Sequence, residues 1–104
     1  MDALTRLEAT VTERLSADPG SSYVASLKAK GLPTIARKLG EEATEAVVAA
    51  LSGSDDDLVG EAADVLFHLT VLLAAKGITL ERVLSELERR EGTSGLAEKA
   101  ARSA

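Results

Sequence analysis

The sequence predicts an all-α protein, a small bundle of four to five helices completed by dimerisation. Three observations point there. Hydrophobic residues make up 45% of the 104, enough for a core, while aromatics are only 2%, so that core must be built from Leu, Val and Ala packing helix on helix. No segment alternates apolar and polar residues with the period of a strand; apolar positions recur instead at spacings of three and four. The two central apolar stretches are hydrophobic over more than one face, which in so short a chain calls for burial against a second copy.

The first helix, roughly Asp2 to Ser16, carries Leu4, Leu7, Val11 and Leu15 as one apolar stripe, and Pro19-Gly20 breaks the chain after it. A short helix, roughly Ser22 to Lys30, follows and ends at Gly31. Pro33 suits the opening of the third helix, because its missing N–H is an orphan there anyway; that helix runs to Leu51 and "SGSDDD" stops it. Ser54 with Asp57 three residues later forms a capping box with aspartate in place of the usual Glu or Gln. The fourth helix runs from there to Lys76, where Gly77 caps it. Thr79 starts the last helix, with Leu80, Val83, Leu84 and Leu87 on its apolar face. Residues 1–91 thus read as one domain and 92–104, "GTSGLAEKAARSA", as a polar tail ordered in part or by contact with a ligand or second subunit.

Charge and composition narrow the function. With 17 acids against 12 bases the net charge is −5, which argues against broad binding to a nucleic-acid backbone. A small anionic substrate would need a metal or a local basic cluster to offset that repulsion. The absence of cysteine excludes disulfides and thiolate zinc sites. "MDALTRLEAT" has no apolar leader, and the longest charge-free apolar run, Val65 to Ala75, is too short to span a bilayer. The expectation is a cytoplasmic protein without a membrane partner.

The chemistry concentrates in two stripes. On the fourth helix Glu61, Asp64 and His68 fall within roughly 60° of arc, and Asp57 extends the line. On the third, Lys38, Glu41, Glu42, Glu45 and Ala49 fall within about 100°. Most acidic stripes are solvated outer faces, and Lys38 can pair with Glu42 one turn on. The second stripe is different: it is narrow, acidic apart from a histidine, and flanked by residues that favour burial. If the stripes face each other, the carboxylates repel strongly unless protons or a cation neutralise them. Hard oxygen donors with no Cys and one His favour Mg²⁺, or Mn²⁺, over zinc. Magnesium held this way completes its shell with water and substrate phosphates, so the leading class is a metal-dependent enzyme acting on a phosphate ester or anhydride. A di-iron bundle would require Glu-x-x-His, and Val65 stands three residues before His68. His68 itself reads either as a hydrogen-bonded core histidine or as a group next to the metal or substrate phosphate. Gly40 and Gly60, inside helices, indicate close packing or the approach of a ligand.

Glu42-x-x-Glu45 followed by Glu61-x-x-Asp64 resembles the E-x-x-E…E-x-x-D signature of the MazG-like, all-α nucleoside triphosphate pyrophosphatases. Within that superfamily, "SYVASLKAKGLPTIARKLGEEATEAVVAAL" and "GEAADVLFHLTVLLAAKGITLERVLSELERR" closely resemble the phosphoribosyl-ATP pyrophosphatase family of histidine biosynthesis. The resemblance runs from about Leu4 into the tail. It implies hydrolysis between the α- and β-phosphates of phosphoribosyl-ATP to phosphoribosyl-AMP and pyrophosphate. It also implies Glu42, Glu45, Glu61 and Asp64 as Mg²⁺ ligands, Glu41 as the residue that orients or deprotonates the attacking water, and Lys38 as a phosphate-binding group. Arg37, Tyr23 and His68 join as further substrate-binding candidates, and Phe67 stands where many relatives have Tyr. Two other readings stay open: a house-cleaning dNTP pyrophosphatase sharing the metal site, and a non-catalytic helical dimer whose acidic stripes face solvent or a partner.

Overall fold

The computed structural model describes residues 2–103. Its centre is a hairpin of two long helices, α3 (Leu32–Ser52) and α4 (Asp55–Ala75), joined so tightly that they must run antiparallel. The turn is built by local chemistry. Ser54 Oγ accepts from the Asp57 N–H at 3.1 Å while the Asp57 carboxylate accepts from the Ser54 N–H at 3.0 Å, a reciprocal capping box that gives two orphan donors partners. This use commits the Asp57 carboxylate to the cap, at the turn end of the acidic line of α4, where it lines one hollow with Glu45 and Glu61. At the far end Gly77, with φ 71°, takes the left-handed conformation that ends α4. The Ile78 N–H then donates to the Leu73 carbonyl at 2.9 Å and the Gly77 N–H to that of Ala74 at 3.0 Å, a Schellman closure.

Two shorter helices, α1 (Ala3–Arg14) and α2 (Tyr23–Lys30), lean on the end of the hairpin remote from that turn. Asp2 caps α1 by accepting from the Thr5 N–H at 2.8 Å, and Ser22 caps α2 by accepting from that of Ala25 at 3.2 Å. The core is Val11, Val24, Leu27, Ile35 and Val71, with Leu7, Leu15, Phe67, Leu72 and Ala74 packed against it. It therefore sits at one end. Around the turn nothing covers the hairpin: Leu51 is 83% exposed and Val59 67%, with Val47, Val48 and Leu66 also exposed.

α5 (Leu80–Arg89) is positioned by a side chain from α1: the Leu80 N–H donates to Glu8 Oε2 at 2.6 Å, placing a carboxylate on the positive end of the helix. Replacing Glu8 by alanine is expected to destabilise the protein by about 1–2 kcal/mol, the usual worth of a helix cap. Urea denaturation checks this, and an unchanged midpoint would leave the contact without energetic weight.

The tail differs from expectation by forming a helix of its own, α6 (Gly95–Ser103), so the described residues hold six helices and no strand. Its polar composition hid this because what holds it is remote in sequence. The Glu98 carboxylate, 8% exposed, accepts from Arg89 at 2.7 Å and lies 3.8 Å from Arg90 and Arg102, while Ser94 Oγ accepts from the Ala97 N–H at 3.0 Å to start the helix. Glu86 shares Arg89 and Arg90, and those guanidinium groups hold its carboxyl down to about 2.

Candidate active site

Across the antiparallel hairpin, residues equally far from the turn lie level with one another. Glu45 is thereby set against Glu61, and Glu42 against Asp64. The structure brings carboxylate oxygens of Glu42, Glu45 and Glu61 within 4.8 Å of one another. Glu42 and Glu61 are half-buried, and each has a shielded Oε2 that no hydrogen-bond donor reaches. A buried, unpartnered carboxylate oxygen is costly in a folded protein, and here two belong to residues of one cluster.

The electrostatics follow directly. Loss of water raises the pKa of Glu42, and the neighbouring Glu45 and then Asp64 raise it further, with His68 opposing. Glu61 is raised by the same desolvation, then by its contact with Glu45 and by the charges of Glu42 and Asp64. Protons or a cation must supply the missing positive charge. A set of hard oxygen donors with free lone pairs and no thiolate fits magnesium or manganese.

The other predicted residues are placed as follows. Asp64 is exposed and stands beside the trio, near enough to raise both half-buried glutamates. Glu41 is not in the cluster. It lies on the outer side of α3, paired with Arg37 at 3.6 Å and Lys38 at 3.4 Å. Lys38 thus pairs with Glu41 and not, as expected from the one-turn spacing, with Glu42, because Glu42 is turned into the hairpin. His68 is buried; its Nδ1 lies 2.8 Å from the Asp64 carbonyl and its Nε2 2.9 Å from the Tyr23 hydroxyl. Tyr23, His68 and Phe67 form an aromatic group, with Tyr23 and Phe67 centroids 6.1 Å apart at 25° and His68 edge-on to both. No sequence spacing could pair Tyr23 with His68, which stand 45 residues apart. Gly40 and Gly60 have open space where a side chain would project, so packing within the chain does not account for either.

An all-α hairpin with converging, unpartnered carboxylates defines a class: helical proteins whose facing acids can hold a hard divalent cation against a phosphate group. Comparison with known proteins narrows the class. The family described as phosphoribosyl-ATP pyrophosphohydrolase matches residues 4–91. Proteins named phosphoribosyl-ATP pyrophosphatase from Erythrobacter litoralis and Novosphingobium aromaticivorans are 66% and 63% identical to the chain, over 98% of it and 98% and 95% of their own lengths. One from Rhodobacter capsulatus is 60% identical, over 98% of this chain and 99% of its own. The chain belongs to the phosphoribosyl-ATP pyrophosphohydrolase family, as the two carboxylate pairs and their flanks had implied.

The raised glutamates predict an inverted pH response. A carboxyl whose folded pKa lies above its unfolded value contributes stability below the unfolded value, 4.5, and that stability is lost as pH rises through the folded value. Metal-free protein should therefore melt at a higher temperature near pH 5 than near pH 7, and magnesium should remove the difference. Glu86 acts in a separate window, since its support is present above 4.5 and is lost as pH falls towards about 2. Thermal melts with chelator and with magnesium check this; a metal-free protein equally stable at both pH values would contradict the like-charge strain.

Proposed function

We propose that the chain hydrolyses phosphoribosyl-ATP to phosphoribosyl-AMP and pyrophosphate with Mg²⁺, or Mn²⁺, held by Glu42, Glu45, Glu61 and Asp64. The observation that carries this reading is the pair of buried, donorless oxygens of Glu42 and Glu61 beside Glu45, in a chain whose relatives bear the name of that activity. When bound, the ion neutralises charge developing on the phosphates and acidifies a water. The protein's own residues supply the rest. The two helices fix the carboxylates before substrate arrives, so little reorganisation is left for the reaction. Lys38 is assigned to a phosphate oxygen, with Arg37 beside it as a weaker candidate. Both are held by Glu41, whose proposed role in orienting or deprotonating the attacking water requires it to exchange those pairs when substrate binds. Tyr23 and His68 line the side of α4 next to Asp64 and are assigned to the nucleotide.

The same reading includes a homodimer, with residues 1–91 as the catalytic domain and 92–104 as its tail. The support is the bare apolar surface at the turn end of the hairpin. On α4, Val59, Ala62, Ala63 and Leu66 follow a helical stripe, and on α3 so do Ala43, Val47, Ala50 and Leu51; all are exposed. By length and composition alone α4 could cross a bilayer. Its inward acids and its continuation into a stripe on α3 suit a second copy better than lipid, and a cytoplasmic location accords with this.

The test is release of pyrophosphate from phosphoribosyl-ATP, and from a panel of dNTPs, with Mg²⁺ present and then chelated. Turnover of phosphoribosyl-ATP that chelation abolishes is the expected result. Preference for a dNTP would move the chain to a house-cleaning role, and no turnover of either would leave a helical interaction module.

A further inference from the structure

We propose that two copies of the chain join face to face with both hairpin turns at the same end, so that Leu66 of each copy enters the space left open at Gly40 of the other. The inference rests on the homodimer reading and deepens it by stating how the copies fit. On α3, Ala36, Gly40, Ala43, Val47 and Ala50 recur at alternating spacings of four and three, and all are exposed. On α4, Val59, Ala62, Leu66 and Leu69 follow the same rhythm, the first three exposed and Leu69 half-buried. At about 100° per residue, the first set is centred roughly 120° round α3 from Glu42. The second is centred roughly 120° round α4 from Glu61, in the same sense. Equal turns from the inward side of an antiparallel pair end on one side, so the two stripes share a face of the hairpin. α1 packs on the opposite face, where Phe67, Val71 and Ala74 meet the core.

That shared face is uneven. Gly40 is level with Leu66, and Ala36 is nearly level with Leu69, so a ridge of leucines runs beside a furrow of small residues. Glycine is unfavourable inside a helix, and a Cβ at Gly40 would meet nothing within the chain. A two-fold axis parallel to the helices lays each ridge in the other copy's furrow. An axis across the helices would set Leu66 against Leu66 and Gly40 against Gly40, ridge on ridge and gap on gap. Close packing favours the first arrangement, since large side chains need small ones opposite them. The exposed area also calls for a second copy. The chain exposes 7064 Å², whereas a compact chain of 10.8 kDa exposes about 5,500 Å². The surplus of roughly 1,500 Å² exceeds the ~800 Å² that each partner gives to a standard interface.

Two measurements test this. The chain has no cysteine, so introduced thiols alone report the contact. Gly40→Cys and Leu66→Cys subunits, refolded together and oxidised, should yield a covalent dimer, and neither variant alone should. A covalent dimer from Leu66→Cys alone puts the axis across the helices and overturns the inference. So does a mixture that stays unlinked while wild type sediments as a dimer, and both results leave the homodimer reading standing. Exchanging the volumes gives the second check. Gly40→Leu and Leu66→Ala should each weaken dimerisation tenfold or more, by overfilling the furrow and by emptying it. The double variant returns a leucine to face a small residue and should recover most of the lost affinity. Two deficits that simply add in the double variant would overturn the fit.

Discussion

Replacing Glu61 by glutamine will abolish most of the enzyme's turnover and yet make the metal-free protein more resistant to heat. The loss should exceed about 100-fold in kcat/KM, because a ligand that fixes the position of a catalytic cation contributes several kcal/mol to the transition state and each ~1.4 kcal/mol is tenfold in rate. The gain has the opposite origin. Glutamine has nearly the same shape, carries no charge and brings two donors to a place where Glu45 and the shielded Oε2 of Glu42 have only lone pairs to offer. Ionising Glu61 beside those acids at neutral pH is unfavourable, and the substitution removes that cost. Glu42→Gln should behave alike. The combination is diagnostic, since a residue needed only for folding loses stability and activity together. Magnesium should raise the melting temperature of the wild type, as any ligand of the folded state does, and barely move that of Glu61→Gln. A variant that keeps its activity, or one that melts lower without metal, would contradict the assignment.

If the proposed homodimer forms through the bare stripes, Val59→Glu is expected to separate it and to lower activity through the loss of assembly, although Val59 is not in the carboxylate cluster. Val59 and Leu51, 67% and 83% exposed in the single chain, lie on the bare stripes of α4 and α3 near the turn. Burying a valine or leucine is worth about 1.5–3 kcal/mol, and a two-fold interface counts every residue twice. A charge placed there should weaken dimerisation by on the order of a hundredfold or more. Sedimentation at micromolar concentration should find one species of twice the chain mass for wild type and a monomer for the variant. A wild type that sediments as a monomer would remove the second copy from the account and leave these stripes without an occupant.

How much could be read in advance depended on how local each feature is. The Ser54–Asp57 box and the Gly77 stop involve neighbours in sequence, so the hairpin ends were legible. Helical periodicity then placed the acids on one stripe of each helix; that the stripes face each other is what the structure adds. It could not separate Glu41 from Glu42, adjacent residues on a broad arc, and only packing shows that Glu42 turns inward while Glu41 takes Lys38 and Arg37 outside. The contacts that escaped were the distant ones: Tyr23 with His68, Glu8 with the start of α5, and Glu98 with Arg89. Such pairs depend on how helices dock, which no window of sequence contains. Gly40 and Gly60 stay unexplained by contacts within the chain, since open space faces both.

The central claim is that two facing helices gather carboxylates to hold a hard cation, and crystals grown with manganese test it by the metal's own anomalous scattering. A peak within bonding distance of oxygens from Glu42, Glu45 and Glu61 is the predicted result. A map with no peak there, from protein saturated with manganese and active in solution, would contradict the account.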